Sequence, residues 1–149
     1  MGAIIISDAA SLAIHGSMLL AERPDEWIQT TELAARLSAS RAHVTKVMQR
    51  LTKAGITESA RGSHGGFRFI ADMHAVTLLD VYEAIEGRLE PPTCLLKKPI
   101  CGGRCSIGGV LRRMNVELRD QLASTSLADL MARARRMPSE AREEDHQDL

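Results

Sequence analysis

The chain has 149 residues, which suits one compact domain or a small domain with an added element, and its 19 basic and 19 acidic side chains give a formal net charge of zero. Apolar residues make up 44% of it, but the aromatic ones are only one Trp, one Tyr and two Phe, so the predicted core is aliphatic. No apolar run approaches the ~20 residues of a membrane span. The first residues also lack the basic region and long apolar stretch of a signal peptide. We therefore exclude a membrane-spanning protein and expect a cytoplasmic one.

The neutral total charge conceals an uneven distribution. Between residues 36 and 68 basic side chains predominate, and Glu58 is the only acidic one. The segment 138–149 is acidic instead and has no apolar periodicity, so it is predicted to be disordered. A basic segment of this kind is typical of a surface that binds nucleic acid. Its members are Arg36, Arg41, Lys46, Arg50, Lys53, Arg61 and Arg68.

Capping residues and apolar spacing predict three helices in the first part of the chain. Ser7 is a good N-cap for the first helix, Thr30 or Thr31 for the second, and Ser40 for the third. Gly55 lies where a C′ glycine ends a helix. A tight turn joins the second helix to the third, which is typical of a helix-turn-helix. The predicted helices cover about residues 8–22, 32–37 and 41–54.

Two short strand patterns follow the third helix. Residues 56–60 can form one strand, and residues 67–70 alternate between apolar and polar side chains like a second one. The loop between them, 61–66, is basic and rich in glycine, which suits a turn between two strands. The sequence therefore predicts a β-hairpin wing beside the helix-turn-helix, and the unit is a winged helix.

Further helices are predicted in the second half of the chain. Thr77 and Asp80 have the spacing of a capping box for a fourth helix that runs to about Ile85 and ends at Gly87. Ser126 opens a last short helix. Between them lies a long helix whose apolar stripe has no place in a small winged domain, so we expect it to be the dimerisation helix. The stripe consists of Val110, Leu111, Met114, Leu118 and Leu122.

These patterns together predict a mainly α protein with a small β-hairpin. The predicted organisation is a winged helix-turn-helix DNA-binding domain over 1–90, a cysteine loop over 91–108, a dimerisation helix and C-terminal helix over 109–137, and an acidic tail over 138–149. The sequence has no nucleophile–base pair and no phosphate-binding glycine loop that we can recognise. An enzyme is therefore not expected.

The polar side of the third helix is the predicted DNA-reading surface. Arg and Lys can read guanine in the major groove, and Gln can read adenine. Thr31 and Ser40 lie near helix N-termini, where they can contact phosphates. Because helix-turn-helix dimers read two half-sites, we expect a roughly palindromic operator in double-stranded DNA. The other candidates are Arg41, His43, Thr45, Lys46, Gln49 and Arg50 on the helix, and Arg61, Gly62, His64 and Gly65 on the wing.

All three cysteines of the chain, Cys94, Cys101 and Cys105, lie within twelve residues. Thiolates gathered on one loop suit an iron–sulfur cluster or a tetrahedral zinc ion, and the residues alone do not decide between the two. A third interpretation is a thiol redox switch without metal. The surrounding charge is positive, which should favour the thiolate form and offset the charge of a ligated cluster. The basic residues are Lys97, Lys98, Arg104, Arg112 and Arg113.

Several segments resemble the small winged-helix iron–sulfur regulators of the IscR, RirA and NsrR family, over about residues 5–135. They are the third helix with its cap (40–55), the wing (59–66), the helix before the cysteines (77–87) and the C-terminal helix (126–130). The resemblance implies a homodimeric transcriptional repressor with a 4Fe-4S or 2Fe-2S cluster on its three cysteines. It also implies that the state of the cluster controls DNA binding.

Within that family, Ser40-Arg-Ala-His43 looks most like the nitric oxide-sensing NsrR branch. That branch has an aspartate at the start of its first helix that ligates the cluster of the other subunit, and Asp8 occupies the matching place. The branch that governs cluster biogenesis uses a histidine where this chain has Gly108. The cysteine spacing departs from the usual pattern of about five residues in each interval, because it is six and then three. The signal implied is nitric oxide or an oxidant, and the alternative is a zinc-containing or cluster-free thiol regulator.

Overall fold

The computed structural model describes residues 6–90, 96, 98, 100–102 and 105–136. Within these residues the chain forms six helices and two strands, in agreement with the predicted fold class. Cys94 and the acidic segment 138–149 lie outside the described residues. The elements are α1 (Asp8–Ala21), α2 (Thr30–Arg36), α3 (Arg41–Lys53), β1 (Thr57–Ala60), β2 (Gly66–Phe69), α4 (Leu78–Glu86), α5 (Ser106–Ser124) and α6 (Leu127–Arg136).

Most of the predicted helix starts are confirmed by side-chain caps. The hydroxyl of Ser7 accepts a hydrogen bond from Ala10 N at 3.1 Å, and that of Ser40 accepts one from His43 N at 3.2 Å. Thr77 and Asp80 form the predicted capping box in both directions. Such caps satisfy backbone N–H groups that have no partner within the helix. Local side-chain chemistry therefore sets where these helices begin.

Two predicted boundaries are wrong. The second helix begins at Thr30, and its N-cap is Gln29, which makes no side-chain capping bond, rather than Thr30 or Thr31. The long helix begins at Ser106, with Cys105 as its N-cap, and thus starts inside the segment 91–108 that the sequence assigned to a loop. Here the thiol takes the role of the cap, which a pattern based on Ser, Thr, Asp and Asn does not detect.

The core is largely aliphatic, as predicted, with Phe67 and Phe69 as its aromatic members, and α3, the predicted DNA-recognition helix, crosses it. Side chains from α1, α2, α3 and α6 are fully buried together, which fixes α3 against the body of the domain. Burial of one such leucine stabilises the fold by about 1.5–3 kcal/mol. The largest of these side chains are Leu20, Leu33, Met48, Leu51 and Leu127.

The wing is an antiparallel hairpin in which Thr57 pairs with Phe69 and Ala60 with Gly66. Ile28 pairs with β2 on the edge that faces away from β1, where it exchanges two backbone hydrogen bonds of 2.9 Å with Phe67. Phe67 and Phe69 are buried against the core. The hairpin is thus tied by backbone hydrogen bonds to the segment that leads into α2.

The long helix α5 contains no buried residue, although it carries an apolar stripe. Ile107, Val110 and Met114 are exposed by 59%, 46% and 41%. The helix is tied to the rest of the domain on another side, where Arg119 pairs with Glu83 of α4. Within the described residues, no helix combines the length and apolar character needed to cross a bilayer.

Candidate nucleic-acid interface and cysteine segment

A cleft of about 450 Å³ lies between the wing, the start of α2 and the recognition helix. It brings together residues that are far apart in the chain, because the hairpin folds back beside α3. Within α3 the contributing side chains are spaced four residues apart, so they share one face of the helix. The predicted DNA-binding residues that line this cleft are Thr31, Arg41, Thr45, Gln49, Arg61, Gly62 and Gly65.

Gln29 was missed by the sequence prediction. It lines the same cleft, and its Nε2 donates a hydrogen bond of 2.7 Å to the carbonyl oxygen of Ser63 at the tip of the wing. This bond connects the start of the helix-turn-helix to the wing loop. A lone Gln before a helix carries no recognisable signal, because its partner lies 34 residues further along the chain.

The other predicted DNA contacts lie outside this cleft. Ser40 and His43 line a second cleft of about 340 Å³, between the N-terminus of α1 and the turn of the helix-turn-helix. Lys46 is exposed on α3, and His64 is exposed on the wing loop, where its ring contacts the Ser63 hydroxyl at 3.0 Å. The two clefts, each lined by some of the predicted DNA contacts, thus lie beside different parts of the recognition helix.

Arg50 has a different environment from the one expected. Its Nη1 donates a hydrogen bond of 2.8 Å to the carbonyl oxygen of Ile85, in the last turn of α4. It follows Gln49 directly and therefore lies about 100° further round the helix, because an α-helix has 3.6 residues per turn. The structure gives this guanidinium a partner inside the fold and does not bring it into the cleft that Gln49 lines.

Asp8, the predicted fourth cluster ligand, is exposed in the first turn of α1. It lines the second cleft together with Ser40 and His43 of the recognition helix. A carboxylate in that position is stabilised by the helix dipole even without a metal. Any ligand bound by Asp8 would therefore lie beside the start of the recognition helix.

Cys105 occupies the N-terminus of α5. Its Sγ accepts a hydrogen bond from Gly108 N at 3.2 Å, so the positive end of the helix dipole faces the sulfur. Gly108 leaves the sulfur accessible, since a Cβ at this position would lie 3.3 Å from Sγ. A cysteine sulfur is a donor that both zinc ions and iron–sulfur clusters accept as a ligand. The surroundings of Cys105 therefore fit a metal ligand.

Cys101, the other described cysteine, is exposed, whereas Cys105 is half-buried, and neither thiol is in a disulfide. Among the described residues there is no group of three or more His, Cys, Asp and Glu side chains that could hold a metal ion. Cys94, the third predicted ligand, lies outside those residues. The donor chemistry of Cys101 and Cys105 suits an iron–sulfur cluster, a zinc ion or a disulfide equally well.

The segment that leads to the cysteines is tied to α4 and α5. Glu83 accepts hydrogen bonds from the backbone N–H of Leu89, at 3.0 Å, and from the guanidinium of Arg119. The Leu89 N–H, together with Arg119, holds the pKa of the Glu83 carboxyl below its ordinary value. Glu83 therefore stays ionised at neutral pH and can hold both partners.

The three helices and the hairpin wing define a winged-helix fold. The family model for Rrf2, described as an iron-dependent transcriptional regulator, matches residues 6–133. The chain belongs to the Rrf2 family of transcriptional regulators. It is accordingly a DNA-binding regulator rather than an enzyme.

Individual relatives agree with this assignment. The chain is 38% identical to YwgB of Bacillus subtilis over 77 residues. These residues span 51% of this chain and 49% of YwgB, so the chain matches about half the length of that relative. It is 28% identical to the transcriptional regulator IscR of Vibrio cholerae over 124 residues, covering 82% of this chain and 69% of that one. The fold is similar to that of CymR, the global cysteine regulator of B. subtilis, with a TM-score of 0.72 and 22% sequence identity. The superposition covers 87% of this chain and 97% of the CymR chain.

Proposed function

We propose that this chain is a cytoplasmic, homodimeric transcriptional repressor whose operator affinity depends on an iron–sulfur cluster. In this proposal Cys94, Cys101 and Cys105 hold a 4Fe-4S or 2Fe-2S cluster, and Asp8 of the partner subunit supplies the fourth ligand. The signal is nitric oxide, an oxidant or iron status. The resemblance to the NsrR branch in Ser40 to His43 and at Asp8 favours nitric oxide.

The position of Cys105 is the observation that carries this proposal. The thiol caps α5, whose apolar stripe is exposed, so a change at the cysteines acts directly on the N-terminus of the predicted dimerisation helix. A cluster bound there ties the loop to the helix, and its loss releases that connection. Because two winged helices must fit two half-sites at a set spacing, a change in the dimer alters operator affinity.

We propose that the cleft between the wing and the recognition helix is the surface that contacts DNA. Its lining combines Arg41, Thr45 and Gln49 of the recognition helix with Arg61 of the wing. The helix face suits the edges of bases in the major groove, and the wing arginine suits the backbone or the minor groove. We propose a roughly palindromic operator, because each protomer of a dimer presents one such surface.

A second candidate is a thiol-responsive regulator without a cluster, or one with zinc. Cys101 is exposed and only four residues from Cys105, and the cysteine intervals depart from the family pattern. Either feature would suit zinc or a redox switch. The metal content of the protein distinguishes these candidates from the first.

The decisive experiment is the visible absorption spectrum of protein purified without oxygen, with iron, sulfide and zinc assayed on the same sample. Iron and sulfide in matching amounts would support the cluster, and zinc without iron would support the second candidate. Operator affinity is then measured before and after nitric oxide treatment. Unchanged affinity would contradict nitric oxide sensing.

We expect Cys101→Ala to lose the bound iron and sulfide while it keeps the fold, because the side chain is exposed and contributes nothing to the core. The matched control is Ser106→Ala, an exposed neighbour without a thiol. Metal analysis and circular dichroism measure the two effects separately. Full iron and sulfide content in Cys101→Ala would show that this thiol is not a ligand.

Arg61→Ala should weaken operator binding and reduce the dependence of log affinity on log salt concentration by about one, as expected when one phosphate contact is lost. Arg68→Ala is the control in the same hairpin, because the Arg68 guanidinium lies 4.7 Å from the centre of the Trp27 ring and pairs with Glu58. For Arg68→Ala, the slope of log affinity against log salt concentration (the salt slope) should equal that of the wild type. Binding titrations at several salt concentrations test both variants, and equal slopes for all three proteins would remove Arg61 from the interface.

A further inference from the structure

The last turn of α4 is held by three other elements of the fold. The Arg50 guanidinium of α3 donates to the carbonyl oxygen of Ile85. The Ser7 hydroxyl, at the N-cap of α1, donates to Glu86. From α5, Arg119 reaches Glu83. A single helical turn thus connects the recognition helix, the first helix and the predicted dimerisation helix.

The same turn also holds the beginning of the segment that leads to the cysteines. Glu83 accepts the backbone N–H of Leu89, and Arg119 adds a second contact through the Leu89 carbonyl oxygen at 3.3 Å. Leu89 is thereby fixed to α4 and α5 by two polar bonds. A displacement of the chain at Leu89 therefore acts on the α4 turn that Arg50 holds.

Arg50 is the member of this junction that lies on the recognition helix. Its positive charge and exposure would also suit a phosphate contact, but its Nη1 is already directed at Ile85. The carbonyl groups in the last turn of a helix have no partner within that helix and carry the negative end of the dipole. A guanidinium is a well-suited donor to such a group, because the bond is charge-assisted.

We propose that Arg50 is a positioning residue that couples the α4 turn, and with it the start of the cysteine segment, to the recognition helix, and that it does not contact DNA. This inference rests on the proposed function, since it describes how a change at the cysteines reaches α3. The bonds of Glu83 to Leu89 and of Arg50 to Ile85 form one continuous path through α4. Coupling of this kind is reciprocal, so binding of DNA to α3 must also restrain the segment at Leu89.

Reciprocity supplies a test whose readout is hydrogen exchange rather than repression. Protein purified without oxygen is mixed with a DNA duplex that it selects by affinity from a random-sequence pool, and amide hydrogen exchange of the segment 83–90 is followed by mass spectrometry. Exchange reports the free energy of local opening. In the wild type we expect DNA to slow exchange in this segment about fivefold or more, the lower end of typical couplings.

Arg50→Met keeps the length of the side chain but removes the donor, and it should abolish the effect of DNA on exchange. A purely structural role would speed exchange equally with and without DNA and would leave the ratio unchanged. Arg50→Lys retains a cationic donor and should restore part of the effect. Arg119→Met, on α5, removes one of the two bonds that hold Leu89 and should reduce the effect while DNA affinity is retained.

The salt dependence of DNA binding separates the two roles of Arg50. Lys46→Met, which removes an exposed cation from the same helix, is the control and should reduce the salt slope by about one if Lys46 contacts a phosphate. The slope of Arg50→Met should equal that of the wild type. A reduced slope in Arg50→Met, or wild-type exchange that DNA does not change, would overturn the proposal. A wild type that selects no duplex would overturn the proposed function as well.

Discussion

Val110→Asp should dissociate the proposed dimer into monomers and abolish tight operator binding, whereas Val116→Asp should do neither. The two valines have the same side chain and nearly the same exposure, 46% and 49%, on the same helix. They are six residues apart and therefore point about 120° away from each other. Only Val110 lies on the apolar stripe with Ile107 and Met114.

The expected effect is large because a symmetric interface contains the substitution twice. Burying a carboxylate without a partner costs several kcal/mol, and truncation of a central interface side chain alone often costs about 2 kcal/mol or more. We therefore expect the dimer dissociation constant to rise about 100-fold or more. Any loss of helix propensity is shared by both variants, since both replace Val by Asp within α5.

Analytical ultracentrifugation over a range of concentrations measures dissociation, and titration with a palindromic duplex measures its consequence. A monomer has only one winged helix, so it cannot bind the second half-site of the palindrome. If Val110→Asp remained dimeric at the concentrations where the wild type is dimeric, the stripe would not be the dimer interface. Dissociation of Val116→Asp instead would place the interface on the other side of α5.

Gly66→Ala should destabilise the fold by about 3 kcal/mol and loosen the wing, while Gly62→Ala should cost only about 1 kcal/mol. Both glycines have positive φ angles, of 140° and 103°, so each substitution introduces backbone strain. Their surroundings differ completely. A Cβ at Gly66 would lie 2.1 Å from the carbonyl oxygen of Ile28, whereas a Cβ at Gly62 would meet nothing within 4 Å.

The clash at Gly66 involves backbone and cannot be relieved by rotation of a side chain. Relief requires Ile28 to move away from β2, and the two hydrogen bonds between Ile28 and Phe67 then lengthen or break. Each lost bond contributes about 1 kcal/mol. Because the bridge holds the wing beside the helix-turn-helix, operator affinity should fall together with stability.

Urea unfolding at one fixed protein concentration gives the free energies of unfolding, since the stability of the proposed dimer would depend on concentration. The informative quantity is the difference between the free energies of unfolding of the two alanine variants, because the backbone strain that they share largely cancels in it. A difference below about 0.5 kcal/mol, the usual range for surface changes, would mean that the wing tolerates the displacement of Ile28.

The parts of this fold that were predictable from the sequence are those that rest on local interactions. Ser7 and Ser40 cap helices through hydrogen bonds to residues three positions away, and Thr77 with Asp80 does the same in both directions. The hairpin followed from two strand patterns around a glycine-rich loop. The spacing of Arg41, Thr45 and Gln49 already placed them on one face of a helix.

The contacts that the sequence did not predict join residues that are far apart along the chain. Gln29 reaches Ser63 across 34 residues, and Arg50 reaches Ile85 across 35. No periodicity in the sequence reports such pairs, because their geometry depends on how whole helices pack. Cys105 was predicted as a metal ligand, but its second role as the N-cap of α5 appears only in the hydrogen bond that its Sγ accepts from Gly108 N.

The sequence by itself therefore determined the helices, the wing and the chemistry of the basic and thiol side chains, since hydrogen bonds and side-chain periodicity within a few residues suffice for these. The tertiary structure alone decided which cationic side chains share the cleft, which one is held inside the fold, and which side chains of the apolar stripe of α5 remain exposed. The physical reason is that these properties depend on the packing of elements around a common core. A side chain's partners there are set by the orientation of its whole helix, not by its neighbours in the chain.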